Sequence, residues 1–183
     1  MKQKYILFSI IFLGFILLDC AGTQQDSIAK TQNVEFLIEQ GELFWQQRSD
    51  SLTLKKAEHF ISLACQQRPG QFDIAILYAQ ILYTRGLFFE KDGETQNSLF
   101  LQASQLCQDA VLNHQDFSVI YNNAQGDSTF KMLTAIADVP ISVVPGLFWW
   151  ATNLARYLNT RPVIERLNHR EILEVLMHRT LSL

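Results

Sequence analysis

The segment "AEHFISLA" (Ala57–Ala64) places Ala57, Ile61 and Ala64 at spacings of four and three. Those spacings put all three on one face of an α-helix, with a large residue between two small ones. A second segment, "ASQLCQDA" (Ala103–Ala110), repeats the pattern with Ala103, Cys107 and Ala110. Small residues at two such positions let a neighbouring helix approach closely. Each segment follows a helix that carries large apolar residues, so the unit that repeats is a pair of helices.

The rest of the chain agrees with that unit. Helical period recurs nearly throughout, and no segment alternates with period two. A first helix is expected over about 34–48, with Val34, Leu37, Ile38, Gly41, Phe44 and Trp45 as its apolar stripe. The second runs over about 52–67 behind a cap at Asp50 or Ser51. The third, about 72–89, is apolar nearly all round and so is expected between neighbours. The fourth covers about 97–113. "HQDFSVIYNNAQGDS" (114–128) reads as a loop with one short turn, before a fifth helix over 128–137 and a sixth that starts at Pro145. Asn168 and Glu171 have the spacing of a capping pair for a last helix to about Thr180. The prolines, at 69, 140, 145 and 162, all fall between helices.

The small–large–small pattern resembles the second helix of a tetratricopeptide repeat, whose following proline matches Pro69. The second copy has Gln115 there. The copies lie 46 residues apart, against a repeat of 34, and the longer turn "GLFFEKDGETQN" (86–97) accounts for the excess. The fold expected is all-α: antiparallel helix pairs of degenerate tetratricopeptide-repeat type, stacked as a short solenoid. In such a stack "EILEVLMHRTLSL" (171–183) needs a covering face, so either it docks back on the sixth helix or the chain is short for its kind.

The N-terminus reads as a targeting segment. Lys2 and Lys4 precede an apolar run of 14 residues, Tyr5–Leu18, short for a membrane span of about 20. Cys20 follows in "LLDCAGT", which resembles a bacterial lipoprotein signal in which the Cys is acylated. Asp19 occupies the preceding position, where that class usually has a small residue. The expected organisation is a signal peptide over 1–19, a lipid-bearing Cys20 with a polar tether over 20–33, and a helical domain over 34–183. Cleavage before Cys20 removes two positive charges and one negative, moving the formal net charge from −3 to −4. The expected location is the bacterial envelope, facing the periplasm. Export permits a disulfide, but Cys65 and Cys107 fall on apolar helix faces, which favours free thiols.

The sequence offers little for catalysis. It has no phosphate-cradling Gly-rich loop and no nucleophile elbow. His59, His114, His169 and His178 form no convincing metal-ligand spacing with a second His, Cys or carboxylate. No basic stripe tracks a nucleic-acid backbone. A binding or scaffolding module without cofactor or metal is expected, rather than an enzyme.

"DVPISVVPGLFWWATNLARYL" (Asp138–Leu158) carries the candidate site. On a helical wheel, Leu147, Ala151, Leu154 and Leu158 form the core stripe, with Phe148 and Trp150 at its shoulders. Trp149 points away, beside Asn153 and Arg156. Either Trp149 packs against the fifth or the last helix, or Trp149, Asn153 and Arg156 line a pore or partner surface. An Arg beside an aromatic suits a carboxylate head on an apolar body.

This stretch resembles the signature of the TatT family, helical lipoproteins with degenerate tetratricopeptide repeats that are associated with tripartite ATP-independent periplasmic (TRAP) transporters. The matching residues are Val144, Pro145, Gly146, Leu147, Phe148, Trp149, Asn153, Leu154 and Arg156. "FWQQRSD" (44–50), "LKKAEHF" (54–60) and "LMHRTLSL" (176–183) also fit. The resemblance implies a lipid-anchored accessory subunit that assembles as a homotrimer around a pore and meets a periplasmic solute-binding protein. It also implies hydrophobic or organic-acid ligands, and a further helix pair beyond residue 183. A general tetratricopeptide scaffold for envelope assembly is the alternative.

Overall fold

The computed structural model describes residues 33–182, and these are helical with no strand among them. The signal segment 1–19, Cys20 and the tether up to residue 32 lie outside the described residues. Helix α1 spans residues 33–46. It is followed by α2 (Ser51–Gln67), α3 (Phe72–Phe88), α4 (Gly93–Leu112), α5 (Gln115–Asn123), α6 (Ser128–Asp138), a 3-10 turn (Ile141–Val143), α7 (Val144–Leu158), α8 (Val163–Asn168) and α9 (Arg170–Leu181).

Aspartates start three of these helices. Asp50 accepts hydrogen bonds from the Leu52 and Thr53 amides at 2.8 and 3.0 Å. Asp92 accepts from the Thr95 amide at 2.8 Å and Asp127 from the Phe130 amide at 2.9 Å. Each carboxylate satisfies amides that the first turn leaves unpaired. The bonds from Thr53 and Thr95 hold the Asp50 and Asp92 carboxyls below the usual range.

Three local expectations change. The fourth helix begins at Gly93 because Asp92 caps it, so most of the supposed long turn is helical. The segment read as a loop contains α5, with the His114 ring as its cap (Nδ1 accepts from the Asp116 amide at 3.2 Å) and Phe117 buried beneath it. Asn168 does not cap the last helix. It ends α8, and His169, whose Nδ1 lies 2.9 Å from the Glu165 carbonyl, is the junction to α9.

Packing runs from neighbour to neighbour: α2 on α3, α3 on α4, α4 on α7 and α7 on α9. The face of α2 formed by Ala57, Ile61 and Ala64 is fully buried, and so is that of α4 formed by Ala103, Cys107 and Ala110. Gly41 of α1 sits directly against the Ile61 side chain, and Phe44 stacks on Phe60 with centroids 5.7 Å apart. Helix α3 is buried on several sides, as its all-round apolarity predicts. Ile74 and Ile81 join a small core with α1 and α2, while Ala75, Ile76, Ala79 and Leu82 join a larger one with α4 to α7 and α9. Burying each such Leu or Ile contributes about 1.5–3 kcal/mol. Helix α6 and the helical stretch Ile141–Leu158 meet at 101°. Arg179 of α9 reaches this corner, where Nε and Nη2 both donate to the Val139 carbonyl.

Candidate functional site

Pro145 lies in the first turn of α7, where its missing N–H costs nothing. One residue on, Gly146 lets α7 close on two helices at once: a Cβ there would come within 2.7 Å of Val111 on α4 and 2.9 Å of the Phe72 ring on α3. This approach rotates the buried arc of α7. Leu147, Ala151, Leu154 and Leu158 are buried as the wheel requires, but so are Gly146, Trp150 and Asn153. The arc is thus centred about 40° toward Trp150 and Asn153, at about 100° per residue. Phe148 is left 39% exposed.

The three residues singled out in the sequence therefore divide. Asn153 is 0% exposed. Its Nδ2 donates to the Trp149 carbonyl one turn back at 2.8 Å, and its buried Oδ1 finds no partner among the described residues. Arg156 is exposed and makes no ion pair among them. Trp149 is half-buried, and its aromatic partner is neither the helix over 128–138 nor the last one. Its ring meets Tyr83 of α3 edge-on at 5.5 Å and Phe148 at 5.2 Å. The reason is the rotation of α7, which turns the Trp149 side toward α3. Tyr83 also contacts Phe100 of α4 at 5.8 Å, and the Arg156 guanidinium carbon lies 5.9 Å from its ring.

The result is a patch of one exposed cation and three aromatic rings: Arg156, Tyr83, Trp149 and Phe148. Tyr83 was missed in the sequence because, within an all-round apolar helix, no periodicity marks one residue as special. A planar guanidinium beside aromatic edges binds a carboxylate with two parallel hydrogen bonds while the rings take up an apolar body.

Two further features border on α7 or α3. A groove of about 490 Å³ runs between α1 and α3, with Glu35, Ile38, Glu42, Leu77 and Gln80 among its lining and Pro145 at its end. Glu35 is paired there with Arg68 at 2.6 Å. Among the described residues Cys65 and Cys107 are free thiols, Cys107 buried and Cys65 half-buried. Burial pushes the Cys65 thiol up to about 11 and the Cys107 thiol higher still, so neither has the character of a nucleophile. Among the described residues no three His, Cys, Asp or Glu side chains group to hold a metal ion. No single helix among them is long and apolar enough to cross a membrane.

A scan of protein-family models matches none to this chain, and no curated protein is significantly similar to it.

Proposed function

We propose that this protein is a lipid-anchored, periplasm-facing accessory component of a TRAP-type solute-uptake system, acting by binding and not by catalysis. In this reading Cys20 carries the lipid, and the described helices form a short solenoid of degenerate tetratricopeptide pairs. The pairs are α1 with α2, α3 with α4 and α7 with α9; α5 and α6 are an insertion. The neighbour-to-neighbour order of packing supports this, because stacked repeats contact only the units beside them. The partner is the solute-binding protein of the transporter, and the assembly is a homotrimer.

The observation that carries the reading is Arg156, an exposed cation without an ion pair among the described residues, set against Tyr83, Trp149 and Phe148. It offers a site for a carboxylate, on the partner's surface or on a small organic acid. Replacing Arg156 with Ala is expected to weaken binding of the solute-binding protein to the full chain in detergent by about tenfold or more. The melting temperature should stay unchanged. A collapse of that temperature would assign Arg156 to the fold, and unaltered affinity would remove the patch from the interface. Native mass spectrometry of the full chain tests the assembly: trimers support the reading and monomers count against it.

The groove between α1 and α3 favours a second reading, a general scaffold for envelope assembly. The first helices of successive pairs line it, and repeat proteins use such concave faces for binding. The two readings part on what co-purifies, a solute-binding protein or assembly machinery.

A further inference from the structure

A second pocket lies elsewhere on α7, on the side that carries Trp150 and Leu154. It measures about 370 Å³, at the lower end for small-molecule sites, and is lined from α4, α6, α7, α8 and α9. Its apolar wall includes Met132, Trp150, Leu154 and Ile172; its polar lining includes Ser104, Tyr157, Glu165 and His169. Trp150 and Ser104, each 3% exposed, are fixed by the core behind them.

The Gln105 and Gln108 amides, which both donate and accept, complete the polar lining, and its one charged carboxylate is Glu165. Glu165 makes no ion pair among the described residues. Its Oε1 receives only a long 3.4 Å hydrogen bond from the Tyr157 hydroxyl. Arg161, four residues before it, lies 5.0 Å over the Tyr157 ring and makes no ion pair with Glu165. His169 has Nδ1 2.9 Å from the Glu165 carbonyl. With the proton on Nδ1, the neutral ring offers Nε2 as an acceptor. Tyr157, having donated its proton, offers oxygen lone pairs. No Lys or Arg lines the pocket.

We propose that this pocket binds a small organic amine. A protonated amine brings one positive charge and up to three N–H donors. The charge answers Glu165, and the donors match the carboxylate, the His169 Nε2 and the Tyr157 oxygen. The carbon body lies on Trp150 and Leu154, an aromatic and aliphatic surface that also suits a cation close by. An organic acid fails the same test, since Glu165 repels it and no lining cation offsets that repulsion. The site does not rest on the transporter reading and lies apart from the Arg156 patch.

Met132, one of 3 methionines in the chain, lines this pocket and two clefts beside Tyr121, and Glu165, which lines this pocket and neither cleft, tells them apart. The full chain in detergent, labelled on the methionine methyl groups, is titrated with cyclohexylamine, cyclohexanecarboxylate, cyclohexanol and glucose. The Met132 resonance is identified by its loss in Met132→Leu. The expected result is a saturable shift with cyclohexylamine alone, and a Kd raised about tenfold or more by Glu165→Gln. Arg156→Ala should leave the titration unchanged. The proposal is overturned if cyclohexylamine causes no saturable shift, if the acid, the alcohol or glucose shifts Met132 as strongly, if Glu165→Gln leaves the Kd unchanged, or if Arg156→Ala abolishes binding.

Discussion

Asn153 holds a buried amide whose Oδ1 meets no partner among the described residues. Leaving such an acceptor dry costs about 1–3 kcal/mol, while its Nδ2 ties the side chain back to the Trp149 carbonyl. The position tolerates a polar group but not a charge. Asn153→Asp is expected to lower stability at neutral pH by about 3–5 kcal/mol, the cost of an uncompensated buried charge. Burial would raise the folded-state pKa of that Asp above the ordinary value of about 3.9. The penalty should therefore grow as pH rises through that value and be largely relieved below it. Urea melts at pH 7 and pH 4.5, each referred to the parent protein, would show the difference; equal losses at both would refute buried charge as the cause. The wheel made Asn153 a neighbour of Trp149 but could not bury it. Angle is legible in sequence, whereas the helices standing at that angle are not. Arg156 was legible as a solvent-side cation because nothing within its own helix competes for it.

At the scale of elements, close approach rests on small residues. A methyl group at Gly146 would strike Val111 on α4 and the Phe72 ring on α3. Gly146→Ala gains about 1 kcal/mol in helix propensity and should still lower stability, because overpacking costs about 1–3 kcal/mol. Thermal melts of the single variant and of Gly146→Ala with Val111→Ala test this. Partial recovery in the double variant is expected, and a stabilised single variant would show that the α4–α7 spacing yields. Elements with long stripes and Asp caps, such as α2, were legible almost to the residue. Helix α5 was not, because Phe117, Ile120 and Tyr121 make a stripe of barely one turn between polar residues. Helix α8 escaped likewise. It has only six residues, and Val163, Ile164 and Leu167 make a stripe of barely one turn that stays exposed, too short to mark a helix by period.

At the scale of the molecule, two cores share one helix. The smaller holds α1 and α2 against α3 through Ile61, Ile74 and Ile81, and the Arg85–Glu58 pair at 2.7 Å spans α2 and α3. The larger core holds α4, α7 and α9 on the other side of α3. Helices held by separate cores open separately. Native-state hydrogen exchange should therefore show α1 and α2 exchanging through a smaller opening free energy than α4 and α7. A single common opening energy for all four helices would contradict this. The burial of one face on α2 and one on α4 was visible in their small–large–small spacing. The side of α3 that each helix takes was not, since an all-round apolar helix fits either way.

The Arg179 guanidinium meets the Val139 carbonyl across 40 positions of chain. During synthesis the corner between α6 and α7 is made well before its clamp. While a ribosome still holds residue 179, that carbonyl must look to water, and α7 lacks the cover of α9. A chaperone that shields newly made chains would find its target in this interval, on the face of α7 that Leu176 later fills.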